Sequence, residues 1–290
     1  MTELVLQALY SGILSGGSYA LIALGLALVF GTMRVINLAH GELVLLAAYI
    51  AYTLEASFKL NPILAIPFAV VVVCITAVGV NFLVNRIRLD RELNSLILTF
   101  GIGIMLTNAV LMIWSADIRS TRSAWMQEPI QFGSLYSARG ELLFFVISLV
   151  LIGLVWWWLS KSWYGRAVRA VSSNREAAKL MGIDPQSTEL VSFLLAGLLA
   201  SFAGVALYSY GVIQPSLGNA LTVKAFIITV LAGMGSIVGV LVGALLIGIA
   251  ETLTTTFYSS AVQELTGMVL FLLVLFVMPN GLFGRAKRQG

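Results

Sequence analysis

What the chain lacks narrows its class before any motif is read. Only 10% of its 290 residues are charged, against about 25% in an ordinary soluble domain. Fully 59% are hydrophobic and mean hydropathy is +0.98, so a water-soluble globule is excluded and the chain is read as an integral membrane protein. There is one cysteine, Cys74, inside an apolar run, which removes intrachain disulfides and thiolate metal sites. There is one histidine, His40, so no His-Glu-x-x-His metalloprotease is possible and an intramembrane enzyme would rest on His40 alone. His40 and Glu42, two apart with no second histidine, do not make a zinc site. No G-x-x-x-x-G-K-[ST] phosphate loop occurs, nor any Gly-Lys pair, so ATP would have to be hydrolysed elsewhere. The net charge of +4 comes from basic loops with no interleaved aromatics, and nucleic acid is not expected as a partner. Glu3, without a basic n-region, argues against a cleaved signal peptide, leaving targeting to the first span.

What is present is a series of uncharged runs: 4–33, 60–85, 93–116, 142–160, 190–223, 225–250 and 265–284, with a shorter one at 43–54. A bilayer core about 30 Å thick needs roughly 20 helical residues, and no ten-residue alternation suggests a barrel. The fold class expected is an all-α polytopic membrane protein, one transmembrane domain over 1–290, with about eight or nine transmembrane helices. Eleven of the 17 Lys and Arg fall in three clusters: Arg86, Arg88, Arg91; Lys161, Arg166, Arg169, Arg175, Lys179; and Arg285, Lys287, Arg288. The positive-inside rule places all three in the cytoplasm, the segment 117–141 outside, the C-terminus inside and the N-terminus outside.

Parity then demands an even number of crossings between the second and third clusters. Residues 222–257 must therefore make two, although they are short for two full spans. The sequence predicts a shortened or re-entrant helix there, turning at Gly233-Met234-Gly235-Ser236-Ile237-Val238-Gly239 and continuing as a longer outward-running helix. A similar interruption follows the glycine-rich first helix (Gly12, Gly16, Gly17, Gly25, Gly31), where Asn37, His40, Gly41 and Glu42 stand together in INLAHGE. Interrupted apolar segments in both halves point to a transport pathway. Two readings of INLAHGE remain open, an interfacial cytoplasmic turn or a helix break within the bundle whose polar groups line the pathway. Lys224 reads as snorkelling to the outer headgroups and Glu251 as interfacial. No confident Asp or Glu is expected within the spans, which weighs against a self-sufficient secondary transporter or channel. Glycines 12, 16 and 17, and 235, 239 and 243, read as close-packing faces.

The inside segment 161–189 predicts a short helix, N-capped at Asn174 and stopped at Gly182 ahead of Asp184-Pro185. Its small face, Ala177, Ala178 and Met181, suits docking. Here Glu176-Ala177-Ala178-x-x-x-Gly182 resembles the EAA---G motif of ABC-importer permeases, whose coupling helix enters a groove on the ATPase subunit. Other strings are similar to the LivH-type branched-chain amino-acid permeases and cover essentially the whole chain. They include Gly165-Arg166-Ala167-Val168-Arg169-Ala170, Met181-Gly182-Ile183, Ser18-Tyr19-Ala20-Leu21, Ile36-Asn37-Leu38-Ala39-His40-Gly41, Lys224-Ala225-Phe226, Gly233-Met234-Gly235-Ser236 and Pro279-Asn280-Gly281-Leu282-Phe283-Gly284. Asn280 departs, standing where many relatives carry a basic residue. The resemblance implies the permease subunit of a bacterial inner-membrane importer, moving branched-chain or related amino acids by alternating access. It implies a second, homologous permease, two cytoplasmic ATPases and a periplasmic substrate-binding protein as partners, with no cofactor of its own. Asn37, His40, Gly41, Glu42, Gly233, Gly235 and Ser236 would border the pathway; Arg166, Glu176, Ala177, Ala178 and Gly182 would couple to the ATPase. The alternative is a carrier or channel for urea or small amides that works without an ATPase.

Overall fold

The structure, a computed structural model, describes residues 1–87, 89–233 and 235–283. Arg88, Met234, Gly284, Arg285, Lys287 and Arg288 lie outside the described residues. Helix α1 (Thr2–Met33) is followed by α2 (His40–Phe58), α3 (Ile66–Asn85) and α4 (Arg91–Trp114). Next come strand β1 (Arg119–Ser120), α5 (Ala124–Gln127), β2 (Pro129–Phe132) and β3 (Leu135–Ala138), and then α6 (Arg139–Lys161). Helices α7 (Trp163–Ser173) and α8 (Arg175–Leu180) precede α9 (Pro185–Tyr210), β4 (Val212–Ile213), α10 (Leu217–Ala232), α11 (Ile237–Phe257) and α12 (Gln263–Val277). Among the described residues eight helical segments are long and apolar enough to cross a membrane, and α10 is a ninth, shorter one. The fold is an all-α polytopic bundle with two small antiparallel strand pairs, β1 with β4 and β2 with β3.

Burial sorts the helices. Helix α1 is apolar on every side and lies along α11 and α9, while α2 packs on α9 and α10. An all-round apolar helix belongs inside a large core or a membrane. Helices α3, α4, α6 and α12 instead turn large apolar side chains outward, among them Phe68, Ile97, Val146 and Leu272. That distribution is stable only where the outer surface meets lipid. Glycines set the closest approaches: a Cβ at Gly12 would stand 2.6 Å from the Ile249 Cα, and one at Gly16 2.9 Å from that of Leu245. The α1–α11 seam is thus closed by Gly12, Gly16 and Gly248, whereas Gly17 makes room for Phe145 of α6 and Gly243 faces α10. Of the second expected set, Gly239 and Gly243 lie closely against α10, whereas Gly235 is open.

Helices α9 to α12 supply the even number of crossings. β4, after α9, pairs with β1 at one end of the bundle. At the other end Leu282 donates its backbone N–H to Leu231 (2.8 Å) and Phe283 to Ala232 (3.1 Å), so the C-terminal segment lies beside the last turn of α10. Three expected boundaries are corrected. The hairpin begins at Leu217 and not at 222, with α10 only 16 residues long. Its turn covers 233–236, because the Ser236 hydroxyl accepts the Gly239 N–H (3.0 Å) and starts α11; Gly239 is helical. The segment expected outside closes at Ala138, since Arg139 and Glu141 already belong to α6.

Candidate functional site

After Met33 the chain does not simply turn. Arg34 caps α1 in the left-handed region at φ 54°, and residues 35–37 run without helical structure until His40 opens α2. His40 Nε2 lies 2.9 Å from the carbonyl of Ile22, eleven residues back along α1, or about 16 Å at 1.5 Å per residue. The segment thus climbs beside α1, and α2 starts well inside the bundle. A carbonyl only accepts, so Nε2 carries the proton. A Cβ at Gly25 would stand 2.8 Å from the imidazole Cε1, so Gly25 is what gives the ring its place.

Broken backbone inside a bundle must find other partners; here one is local and two come from different helices. The Asn37 Oδ1 accepts the Ala39 N–H (3.1 Å), a local turn that aims the chain into α2. Thr99 of α4 accepts the Leu38 N–H (3.1 Å), and Thr222 of α10 accepts the Gly41 N–H (2.8 Å). Asn37 and His40 are 1% and 0% exposed, so the interfacial-turn reading is replaced by a break within the bundle. His40, Gly41 and Glu42 form the first turn of α2 rather than part of the break. Thr99 and Thr222 were missed in the sequence because a threonine in an apolar run bonds its own helix as a rule, as both also do here.

Helix α10 begins beside this point. A Cβ at Gly41 would collide with the Thr222 N–H and hydroxyl, each at 2.6 Å, and one at Gly218 would fall on the Glu42 carboxylate. The Glu42 side chain therefore sits against the first turn of α10, whose positive dipole end favours a carboxylate. Glu42 Oε2 and His40 Nδ1 are buried with no hydrogen-bond partner among the described residues. Such orphan atoms cost about 1–3 kcal/mol each, and they cluster where two helices start within the bundle.

Gly233, Gly235 and Ser236 lie elsewhere, at the end of the bundle that carries the basic residues. Gly233 and Gly235 hold φ 86° and 93°, conformations that glycine alone takes freely. Ile36 and Gly235 share a cavity of about 780 Å³ with Arg34, Asp90 and Ser172. A second cavity, about 640 Å³, opens at the opposite end between Tyr52, Glu55, Lys59, Arg122 and Tyr208. There Glu55 is held by the Thr121 hydroxyl (2.9 Å), by the Arg122 N–H (3.2 Å) and by the hydroxyl of Tyr208. The expected site residues therefore form two groups, a buried layer at 37–42 and a turn at the basic end.

The expectations for Lys224 and Glu251 are overturned. Lys224 Nζ lies 2.8 Å from Glu251 Oε2 and 3.2 Å from the Tyr19 hydroxyl, above the Tyr19 ring. The Glu251 side chain is 2% exposed. Glu42, Glu189 and Glu251 are all buried in helices counted as spans, so the spans do contain carboxylates. Lys224 and Glu251 meet because every Cα–Cβ bond tilts toward its helix N-terminus. In an antiparallel hairpin the two side chains consequently lean toward each other.

At the basic end two helices form where one was expected. Ser162 caps α7 through the Gly165 N–H (3.0 Å), and Asn174 caps α8 through the Ala177 N–H (3.0 Å). Gly182, at φ 82°, ends α8 as expected, with the Ile183 N–H bonded to Ala178 O (3.0 Å). Ala178 is 4% exposed and belongs to the chain's own packing. The apolar residues that α8 and its C-cap show to the outside are Ala177, Leu180 and Met181; Glu176 and Arg166 are exposed too. Arg169 braces α7 by donating to Leu159 O of α6 (2.8 Å). Arg175, the first residue of α8, donates to Glu189 of α9 (3.0 Å), and Arg91 of α4 grips the same fully buried carboxylate at 2.9 and 3.1 Å. One carboxylate thus joins the starts of three helices, a link the sequence could not show because its members lie up to 98 residues apart.

Interrupted helices meeting inside a bundle with an apolar outer surface, with cavities at both ends, fit a multi-pass membrane transport protein. Comparison with known proteins agrees. Residues 8–278 match the family described as branched-chain amino acid transport system / permease component, and the chain belongs to that family. It is similar to the high-affinity branched-chain amino acid transport system permease protein LivH of Escherichia coli K12, 32% identical over 97% of this chain and 96% of the relative. BraD of Pseudomonas aeruginosa, of the same description, is also 32% identical with the same coverage. The fructose import permease FrcC of Rhizobium meliloti is 27% identical over 85% of this chain and 74% of the relative. Among solved structures PsaBC from Streptococcus pneumoniae, in complex with Fab, covers 97% of this chain and 93% of its own at TM-score 0.50 and 14% identity, a likeness of fold alone.

Proposed function

We propose that this chain is the permease subunit of an ABC importer that moves branched-chain or related amino acids across a bacterial inner membrane by alternating access. The observation that carries the reading is the abutment of α2 and α10 inside the bundle at Gly41, Glu42, Gly218 and Thr222. Interrupted helices of this kind supply polar groups at membrane depth while the rest of the backbone stays satisfied. By the positive-inside rule the basic end is cytoplasmic, the N-terminus and the 115–138 segment periplasmic. There α8 presents Ala177, Leu180 and Met181 to an ATPase, and Arg175–Glu189–Arg91 ties that helix to α9 and α4. With no phosphate loop in the sequence, ATP is hydrolysed by two partner subunits. A second permease and a periplasmic binding protein complete the importer, and the chain itself carries no cofactor. The family match gives no support to a carrier that works without an ATPase.

The test is reconstitution in proteoliposomes with the second permease, the two ATPases and the binding protein. The expected result is leucine, isoleucine or valine uptake that requires ATP and all subunits. Uptake that proceeds without the ATPases, or an ATPase that does not co-purify, overturns the reading.

A further inference from the structure

We infer that the Lys224–Glu251 pair is a binding site for the zwitterionic head of an α-amino acid, at the wall of a cavity between α10, α11 and α12. The inference rests on the proposed function for its substrate class. Its geometry is independent of the residues 37–42 discussed above.

The pair lies deep. Glu251 stands about 21 Å along α11 from Ile237 at 1.5 Å per residue, far from the basic end. A charge buried there is stable only when paired, and this one is: Oε2 accepts from Lys224 (2.8 Å), Tyr19 (3.0 Å) and Gln263 (3.1 Å). All three bonds fall on one oxygen. Oε1 has no hydrogen-bond partner among the described residues, and Gly267 leaves it open, since a Cβ there would stand 3.3 Å away. The ammonium of Lys224 carries three N–H donors and spends two, on Tyr19 and Glu251. One acceptor and one cationic donor thus remain side by side.

Both residues line a cavity of about 250 Å³ whose walls are polar on one part, with Ser216, Asn219 and Glu264, and apolar on another, with Ala220, Val223, Ile227 and Met268. That is below the range of about 300–1,000 Å³ typical for drug-sized ligands and suits one small molecule. An α-amino acid near neutral pH is an ammonium and a carboxylate on one carbon, with a side chain projecting away. Its ammonium is matched by Glu251 Oε1, its carboxylate by the spare N–H of Lys224, and an aliphatic side chain by the apolar walls. A site built to bond both charges rejects analogues lacking either one, because its own buried group is then left unpaired. A purely structural ion pair has no such dependence on ligand.

The experiment uses the complete importer carrying Ala220→Cys with Cys74→Ser, and follows modification of the introduced cysteine by a small charged thiol reagent. Leucine is expected to slow modification at least threefold. 4-Methylvalerate, without the ammonium, and isoamylamine, without the carboxylate, should leave the rate unchanged. The double exchange Lys224→Glu with Glu251→Lys keeps an ion pair in the bundle, so assembly on size exclusion is retained, while the reversed polarity removes the protection. Equal modification with and without leucine, in an importer that takes up leucine, overturns the site and leaves the proposed function standing. Protection that survives the double exchange, or that either analogue reproduces, overturns the zwitterion assignment. An importer that takes up no amino acid with all subunits and ATP present overturns both.

Discussion

Two glycines compared show how differently the two halves of this mechanism are built. Gly41 sits where α2 begins inside the bundle, and a side chain there would strike the backbone N–H of Thr222 at 2.6 Å. Gly182 ends α8 at the basic end with φ 82°, and no heavy atom lies within 4 Å of the Cβ it lacks. The first is glycine because there is no space; the second is glycine because of its backbone angle. The buried layer is closely fitted, since the N–H groups of Leu38, Ala39 and Gly41 are each met by a particular side chain, Thr99, Asn37 and Thr222. The α8 region is anchored through its caps, the Arg175–Glu189 pair and the buried Ala178, and its outer face is exposed. Rigidity in one place and accessibility in the other are what the proposed pathway and the proposed lever would respectively need.

The sharpest way to break this comparison is to substitute both glycines alike. Gly41→Val must push two backbones apart, and overpacking of this kind costs about 1–3 kcal/mol or more. We expect at least a tenfold loss of monodisperse protein on size exclusion. Gly182→Val meets no neighbour and bears only the left-handed backbone penalty, roughly 1–2 kcal/mol, so the protein should still be recovered. Equal yields of the two variants would remove the distinction.

A milder effect is expected on the lever itself. Ala178 was singled out in the sequence as a docking residue, but its side chain faces inward, so Ala178→Trp should lower the melting temperature of the permease alone. Leu180→Asp with Met181→Asp alters only exposed positions, 89% and 83% accessible. It should leave that melting temperature within about a degree, because surface substitutions rarely exceed ±0.5 kcal/mol, yet lower ATP-dependent uptake at least fivefold. If the double variant transports normally while Ala178→Trp is stable and inactive, the docking face is the one originally read.

How much of this was legible follows from the physics of each signal. Helix number and the shortened α10 were readable because a bilayer fixes span length and basic clusters fix parity. Asn37 and His40 were readable because polar residues are costly in an apolar chain. Three-dimensional partnership was not. Lys224 and Glu251, 27 residues apart, each looked interfacial, because their distances from the 233–236 turn differ by about 9 Å at 1.5 Å per residue and only opposed side-chain tilt closes that gap. Ala177 and Ala178 are chemically alike, and the sequence alone could not say which faced outward, since a six-residue helix sets no hydrophobic period. Gly25 gave no signal beyond its identity, because the space it leaves is defined by a histidine fifteen residues later.

The smallest expected effect lies at the exposed start of α9, and its pH dependence follows from one carboxylate. Asp184 accepts the backbone N–H groups of Gln186 (3.1 Å) and Ser187 (3.2 Å) and the Ser187 hydroxyl (2.5 Å). The Ser187 hydroxyl bond is the main cause holding its pKa below the usual aspartate value; burial opposes it as the next effect in size, and the backbone bonds and the Arg175 charge add to the lowering. A depressed folded value means the cap stabilises fully above the ordinary aspartate range and is lost as pH falls through the folded value. Asp184→Ala removes the cap, at a typical cost of about 1 kcal/mol. The difference in thermal stability between the parent protein and Asp184→Ala should therefore be constant from neutral pH down to the ordinary aspartate range. Below that it should shrink as the carboxyl is protonated in the parent. The measurement is paired melting curves of the two purified proteins through the acid range. A difference that holds constant to the lowest pH would show that the ionised carboxylate contributes nothing, and that Asp184 caps α9 by its shape alone.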